Sequence, residues 1–180
     1  MGQRGAAAVF MPSKYVFPGG AVDVADHDAP LDGMLAPACQ LRLQRHCPAD
    51  APAPPALVAA ARRELAEETG LHLAGPSTGP PPMRFMFRAI TPPGRTRRFD
   101  ARFFLVSATG IIGDPDDFSD AADELAHLHW IGLGAARSLD LPFITEVVIA
   151  EVENLLRGGD QPGVPFFDNS TDLPCFRRIV

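Results

Sequence analysis

Residues 63–71 read Arg-Glu-Leu-Ala-Glu-Glu-Thr-Gly-Leu. Glu64, Glu67 and Glu68 fall at i, i+3 and i+4, which on a helix puts three carboxylates on one face with neighbouring Cβ atoms about 5–6 Å apart. Like charges at that spacing repel each other and weaken a bare helix. A hard divalent cation removes the penalty, because Mg²⁺ or Mn²⁺ prefers carboxylate and water oxygens. The segment therefore reads as half of a metal site, with a solvated acidic helix face as the alternative. Two features favour the metal. Gly70 stands where a helix ends on a left-handed residue. The acids occupy the last turn, at the negative end of the helix dipole, where carboxylates are least favoured. A cost accepted at that place points to function.

Composition bounds the rest. The chain has 180 residues, 46% of them hydrophobic and 21% charged, which suits one globular domain with a sizeable core. A net charge of −6 argues against a nucleic-acid polymer or an anionic membrane as partner. No apolar run approaches the roughly 18 residues of a membrane span, and no secretory or myristoylation signal opens the chain. Cys39, Cys47 and Cys175 are odd in number and lack C-x-x-C spacing, so they read as reduced thiols of a cytoplasmic protein.

The elements that must position the acids follow from periodicity. Tyr15–Phe17 is β-prone and ends in the turn Pro18-Gly19-Gly20. Residues 27–55 are rich in Ala, Pro and Asp and read as an inserted loop with a short helix near Cys39–Arg45. Residues 56–69 form the acid-bearing helix, with Leu57, Ala61 and Leu65 facing inward. A loop at 74–82 precedes two expected strands, Met83–Ile90 and Arg98–Ala108. Leu125–Ile131, with Trp130, reads as another strand. Leu133–Ser138 and Phe143–Leu156 read as helices. The tail 158–180 reads as irregular. Strands on either side of an amphipathic helix predict a layered α/β domain.

Residues 63–71 resemble the second half of the signature of the Nudix hydrolases, G-x5-E-x7-R-E-U-x-E-E-x-G-U, without a mismatch. Gly20-Ala-Val-Asp-Val-Ala-Asp26 resembles its first half, with Asp26 in place of Glu. The signature allows seven residues before the arginine, whereas residues 27–62 intervene here. The resemblance implies one domain over residues 1–180, an α/β/α sandwich with a mixed sheet, and an insertion at 27–55 inside the motif. It also implies Mg²⁺ or Mn²⁺ held by Glu64, Glu67 and Glu68, with the Gly20 carbonyl as a further ligand. Arg63 would pair with Asp26 and hold loop against helix. In such enzymes the general base is a motif glutamate or an acid of a later loop. Asp120, Asp123 and Glu124 are the candidates, and Glu124 is preferred. His127 and His129 read as structural. Nudix folds usually carry strand residues ahead of the position matching Met1. Either the natural chain begins earlier or another segment, such as a partner subunit in a homodimer, covers that sheet edge.

For the substrate, Arg95, Arg97, Arg98 and Arg102 bracket Phe99, Phe103 and Phe104. Guanidinium suits bidentate phosphate binding and stacking, so Arg98, Arg102 and Phe99 are the candidate substrate contacts, exposed strand arginines being the alternative. Phe17–Gly20, Val22–Asp26, Thr91-Pro92 and Arg98–Phe104 are similar to a Nudix branch that includes coenzyme A diphosphatases of peroxisomal type. Arg4 and Phe17 keep that branch's spacing, while Val9 and Ser13 depart from it. The expected activity is cleavage of a nucleoside diphosphate linked to another group, X. The rival is a nucleotide-binding regulator without turnover. The insertion, tied at both ends to the motif, is expected to be a shallowly packed cap beside the glutamates.

Overall fold

The computed structural model describes residues 1–30, 33–76 and 80–180. Residues 31–32 of the expected insertion and 77–79 of the expected loop lie outside the described residues. In chain order come strands β1 (Gly2–Arg4) and β2 (Tyr15–Val16), a 3-10 turn (Val24–Asp28), and helices α1 (Pro37–Leu43) and α2 (Pro54–Thr69). Strands β3 (His72–Leu73), β4 (Met83–Ile90), β5 (Asp100–Val106), β6 (Ile111–Ile112) and β7 (Leu125–Ala126) follow. Helices α3 (Leu133–Ala136) and α4 (Phe143–Leu156) and strands β8 (Val164–Asp168) and β9 (Cys175–Ile179) complete the chain.

The main sheet has the order β5-β4-β8-β9. It is mixed, because β4 runs parallel to β8 while the other two pairs are antiparallel. Strand residues alternate between faces, and one bulge decides which face each β4 side chain takes. The β4–β5 register slips between Phe85 and Phe87. Ahead of the slip, Met83 and Phe85 pack with Leu57 and Val58 of α2; beyond it, Phe87 and Ala89 pack with Val148 of α4. On β5, Phe104 and Val106 join the α2 side, and Phe103 and Leu105 the α4 side. The result is an α/β domain of three layers: α1 and α2, the mixed sheet, and α4.

Three expectations are corrected. The tail 158–180 is not irregular. Val164 and Phe166 of β8 and Ile179 of β9 are buried in the core shared with α2. Their signal is non-local: β8 takes its place by pairing with Arg88 and Ala89, far back in the chain. The insertion is not shallowly packed either. Met34, Leu35, Cys39 and Leu43 are buried in the same core, and Leu35 bridges Met83. Finally, the Trp130 strand stops at Ala126. His127 adopts φ 52°, a left-handed conformation that ends extended pairing, and Trp130 donates its indole N–H to the Pro115 carbonyl instead.

An arginine on β4 fixes the insertion in place. Arg88 is 1% exposed. Its guanidinium donates in a fork to Asp100 at 2.8 and 2.7 Å, donates to the carbonyls of Arg45 and His46 at 2.9 and 3.2 Å, and lies 4.4 Å from the Phe166 ring centroid. Such a pair gives weak net stability but strict geometry, since loss of Asp100 would leave the buried Arg88 guanidinium without its carboxylate.

Candidate active site

Helix α2 carries the acids, and its ends explain its length. Pro54 and Pro55 open it, at positions where a missing N–H costs nothing. Gly70 closes it at φ 72°, with its N–H on the Ala66 carbonyl at 2.8 Å. Gly70 is required twice over. A Cβ there would also come within 3.2 Å of Asp120 Cβ and 3.3 Å of the Ala121 nitrogen, so its bare backbone lets the loop before β7 dock against the helix end. The Ala122 N–H completes that docking by donating to the Glu67 carbonyl at 2.8 Å.

Arg63 draws the Gly20–Asp26 segment onto the helix. Its Nε and one terminal nitrogen meet Asp26 at 3.3 and 3.0 Å, and the latter also donates to the Ala21 carbonyl at 2.9 Å. The other terminal nitrogen bridges Glu64 at 2.8 Å and Glu67 at 3.0 Å. Asp26 is 5% exposed and also accepts the Asp23 N–H at 2.8 Å. The Arg63 hydrogen bonds hold its carboxyl below the usual carboxylate range against the opposing effect of burial. The same contact, with Asp26 as the main cause, drives the Arg63 guanidinium above its ordinary value. The shorter aspartate thus spans the gap to the arginine, and the pair joins segments 37 residues apart.

Gly20 lies directly against Glu64. A Cβ there would sit 2.3 Å from Glu64 Oε1, so any side chain would push that carboxylate from its place. Burial moves the Glu64 carboxyl upward, with Arg63 opposing.

Glu68 is the most perturbed acid. It is 2% exposed, and one oxygen accepts the Gly19 N–H at 2.7 Å. The other oxygen, Oε1, is buried and has no hydrogen-bond partner among the described residues. Burial is the main cause of a pKa pushed up to about 7, and the charges of Glu124 and Glu64 add to it. An unpaired buried carboxylate oxygen is costly, and an adjacent cation would favour its ionised form.

These observations bear on the expected metal. Among the described residues, no three His, Cys, Asp or Glu side chains already converge into a metal-holding cluster. Glu64 and Glu67 lie on Arg63, and Glu68 turns to Gly19. The donor set nonetheless fits a hard cation. It consists of oxygens, one of them orphaned and buried, beside a glycine cradle that any side chain would fill.

The remaining candidates divide. Glu124 ends the loop just before β7, 3.2 Å from Arg4, and its charge reaches Glu64 and Glu68. Phe99 is 40% exposed and packs at a tilt against Phe10, with ring centroids 4.8 Å apart and planes at 59°. Arg98 precedes β5 rather than sharing a strand face with Arg102; it donates to the Thr91 and Asn169 carbonyls at 3.0 and 2.9 Å. Arg102 is a correction. Its side chain is 5% exposed and is committed to Asp100 at 3.0 Å and Cys47 Sγ at 3.5 Å, which takes it out of reach of a ligand. Sequence reasoning missed Gly19 as the partner of Glu68; the double glycine Gly19-Gly20 was its signal. It also missed Arg88, an arginine within an apolar strand run.

No family model matches the sequence, and no curated protein matches it. Among solved structures, the chain is similar to the crystal structure of a Nudix hydrolase from Alicyclobacillus acidocaldarius. The identity is 22%, the TM-score 0.48, and the match covers 83% of this chain and 80% of that one. A likeness at this level assigns no activity, which has to be argued from the side chains.

Proposed function

We propose that the chain is a Nudix-type hydrolase, dependent on Mg²⁺ or Mn²⁺, that cleaves the diphosphate of a nucleoside diphosphate linked to X. One observation carries the reading. Arg63 clamps Ala21 and Asp26 onto the helix face of Glu64, Glu67 and Glu68, so the two motif halves meet despite the residues between them.

The divalent ions, when bound, would neutralise the diphosphate oxygens and favour an ionised water. Glu64, Glu67, Glu68 and the Gly20 carbonyl would hold them. Arg63 orients the loop and shields Glu64 from Glu67. Glu124 takes the proton of the attacking water. The water oxygen bonds to one phosphorus, and the bond from that phosphorus to the bridging oxygen breaks. The electron pair and a proton leave with the second phosphate, giving a nucleoside monophosphate and phospho-X. Arg98 and Phe99 supply the exposed guanidinium and ring for substrate contact. X is coenzyme A-like or ADP-ribose-like, and the enzyme is cytoplasmic.

One observation favours the rival, a nucleotide-binding regulator without turnover: Glu64 and Glu67 already have Arg63 as a counter-charge. A hydrolysis screen decides between them. Coenzyme A, ADP-ribose, NADH, dinucleoside polyphosphates and nucleoside triphosphates are each incubated with Mg²⁺ and with Mn²⁺. Metal-dependent release of a monophosphate supports the enzyme. Nucleotide binding without product supports the regulator.

A further inference from the structure

The acid proposed to take the proton lies on a loop, and loops do not hold a side chain in place unaided. Two anchors fix the backbone here: the Ala122 N–H on the Glu67 carbonyl and the close approach of residues 120–121 to Gly70. Neither holds the Glu124 side chain, which is 54% exposed. That task falls to β1. In the β1–β7 register Arg4 is the partner of Leu125, which puts Arg4 beside Glu124. Arg4 itself is well fixed. β1 is the middle strand of the order β2-β1-β7, the Arg4 N–H donates to the Lys14 carbonyl at 2.9 Å, and the Arg4 carbonyl accepts the Ser13 N–H at 3.2 Å. Its terminal nitrogen meets Glu124 Oε1 at 3.2 Å. The charges of Arg4 and Glu124 both reach Glu68, with opposite sign.

We propose that Arg4 is a positioning residue that holds the Glu124 carboxylate at the acidic end of α2, where it meets the water that attacks the substrate. The inference rests on the hydrolase reading above. Two observations separate this role from simpler ones. An ion pair with a half-exposed partner adds little stability, so stability does not account for it. The Arg4 Nε is buried and has no partner among the described residues, so that edge of the guanidinium is closed to a ligand, and a terminal nitrogen is already engaged by Glu124.

The test is a double-mutant cycle on the full chain, using whichever substrate the screen identifies. Arg4→Met, Arg4→Lys, Glu124→Gln and the double variant Arg4→Met/Glu124→Gln are compared for kcat and KM, with melting curves as the check on folding. Arg4→Met is expected to lower kcat about tenfold with KM within about twofold, and Arg4→Lys to recover part of the loss. Once Glu124 is gone, removing Arg4 should cost less than about twofold more, because its effect runs through that carboxylate. Independent, multiplicative losses would overturn the inference. So would a raised KM with unchanged kcat, which would make Arg4 a substrate contact. If Arg4→Met does not fold, Arg4→Gln takes its place in the same cycle. A wild type that turns over nothing with either metal overturns the hydrolase reading and this inference with it. An active wild type with multiplicative losses overturns this inference alone.

Discussion

Replacing Glu68 with glutamine should make the metal-free protein more stable at neutral and alkaline pH, although it removes a proposed metal ligand. The glutamine amide oxygen can still accept the Gly19 N–H, now bonded to a carboxylate at 2.7 Å. What disappears is a buried negative charge whose second oxygen has no partner among the described residues. The pKa rises from 4.5 to about 7 on folding. For an acid this sign means that the unfolded chain gives up its proton first. Below about pH 4.5 the group is neutral in both states and costs nothing. Between 4.5 and 7 the penalty grows, and above about 7 it is complete. At about 1.4 kcal/mol for each pH unit the interval sets an upper bound of about 3 kcal/mol. For a chain of this size that corresponds to a rise of about 6–12 °C in Tm. The assay is thermal melting of wild type and Glu68→Gln in EDTA at pH 5 and pH 8. The variant should gain most at pH 8 and little at pH 5. A variant less stable than wild type at pH 8, or a gain independent of pH, would refute the reasoning.

Other outcomes follow from the same geometry. Arg63→Ala leaves Asp26, 5% exposed, without its counter-charge, and should cost about 3–5 kcal/mol in a urea titration; a loss below about 1 kcal/mol would make the clamp an ordinary surface pair. Gly20→Ala would set a methyl group 2.3 Å from Glu64 Oε1; weaker Mn²⁺ binding by calorimetry is expected, and unchanged binding would remove Gly20 from the site. Ending the chain at Gly158 deletes β8, whose Phe166 is fully buried. That variant should fail to fold by circular dichroism, whereas a chain with no structural role for its tail would survive.

How much of this was legible in the sequence depended on whether the signal was local. Helix α4 matches its expected range, Phe143–Leu156, because its apolar residues repeat with helical period against the sheet. Helix α2 begins at Pro54, two residues before the expected start, because prolines that break a preceding element also open a helix. The acids and Gly70 were readable as types at fixed spacing, and the Arg63–Asp26 pair only through the resemblance to the Nudix signature, because the insertion breaks its spacing. Strands β8 and β9 were not. Val164-Pro165-Phe166-Phe167 is flanked by glycine, proline and aspartate and contains a proline, which argues locally against a strand. Its pairing comes from residues 88 and 89. The place of the insertion was hidden for the same reason. Met34 and Leu35 show no periodicity, and only the fold brings them to Met83 and Phe85. None of the hydrogen bonds of the Glu64, Glu67 and Glu68 side chains among the described residues goes to residues 33–55. Of that segment, Met34, Leu35, Cys39 and Leu43 pack with the sheet and with Leu57 and Val58 in the first half of α2. The Arg102 assignment failed because strand alternation does not reveal which face carries the insertion, and Arg102 points at Cys47.

The most direct measurement compares wild type with Glu67→Gln in a diphosphate hydrolysis assay containing Mg²⁺ or Mn²⁺, with nucleoside monophosphate release as the readout. Glu67 is 56% exposed, so its loss should leave the fold intact. The account predicts metal-dependent release by wild type and a kcat at least about a hundredfold lower in the variant. Equal rates in the two proteins, or release by wild type that persists in EDTA, would contradict it.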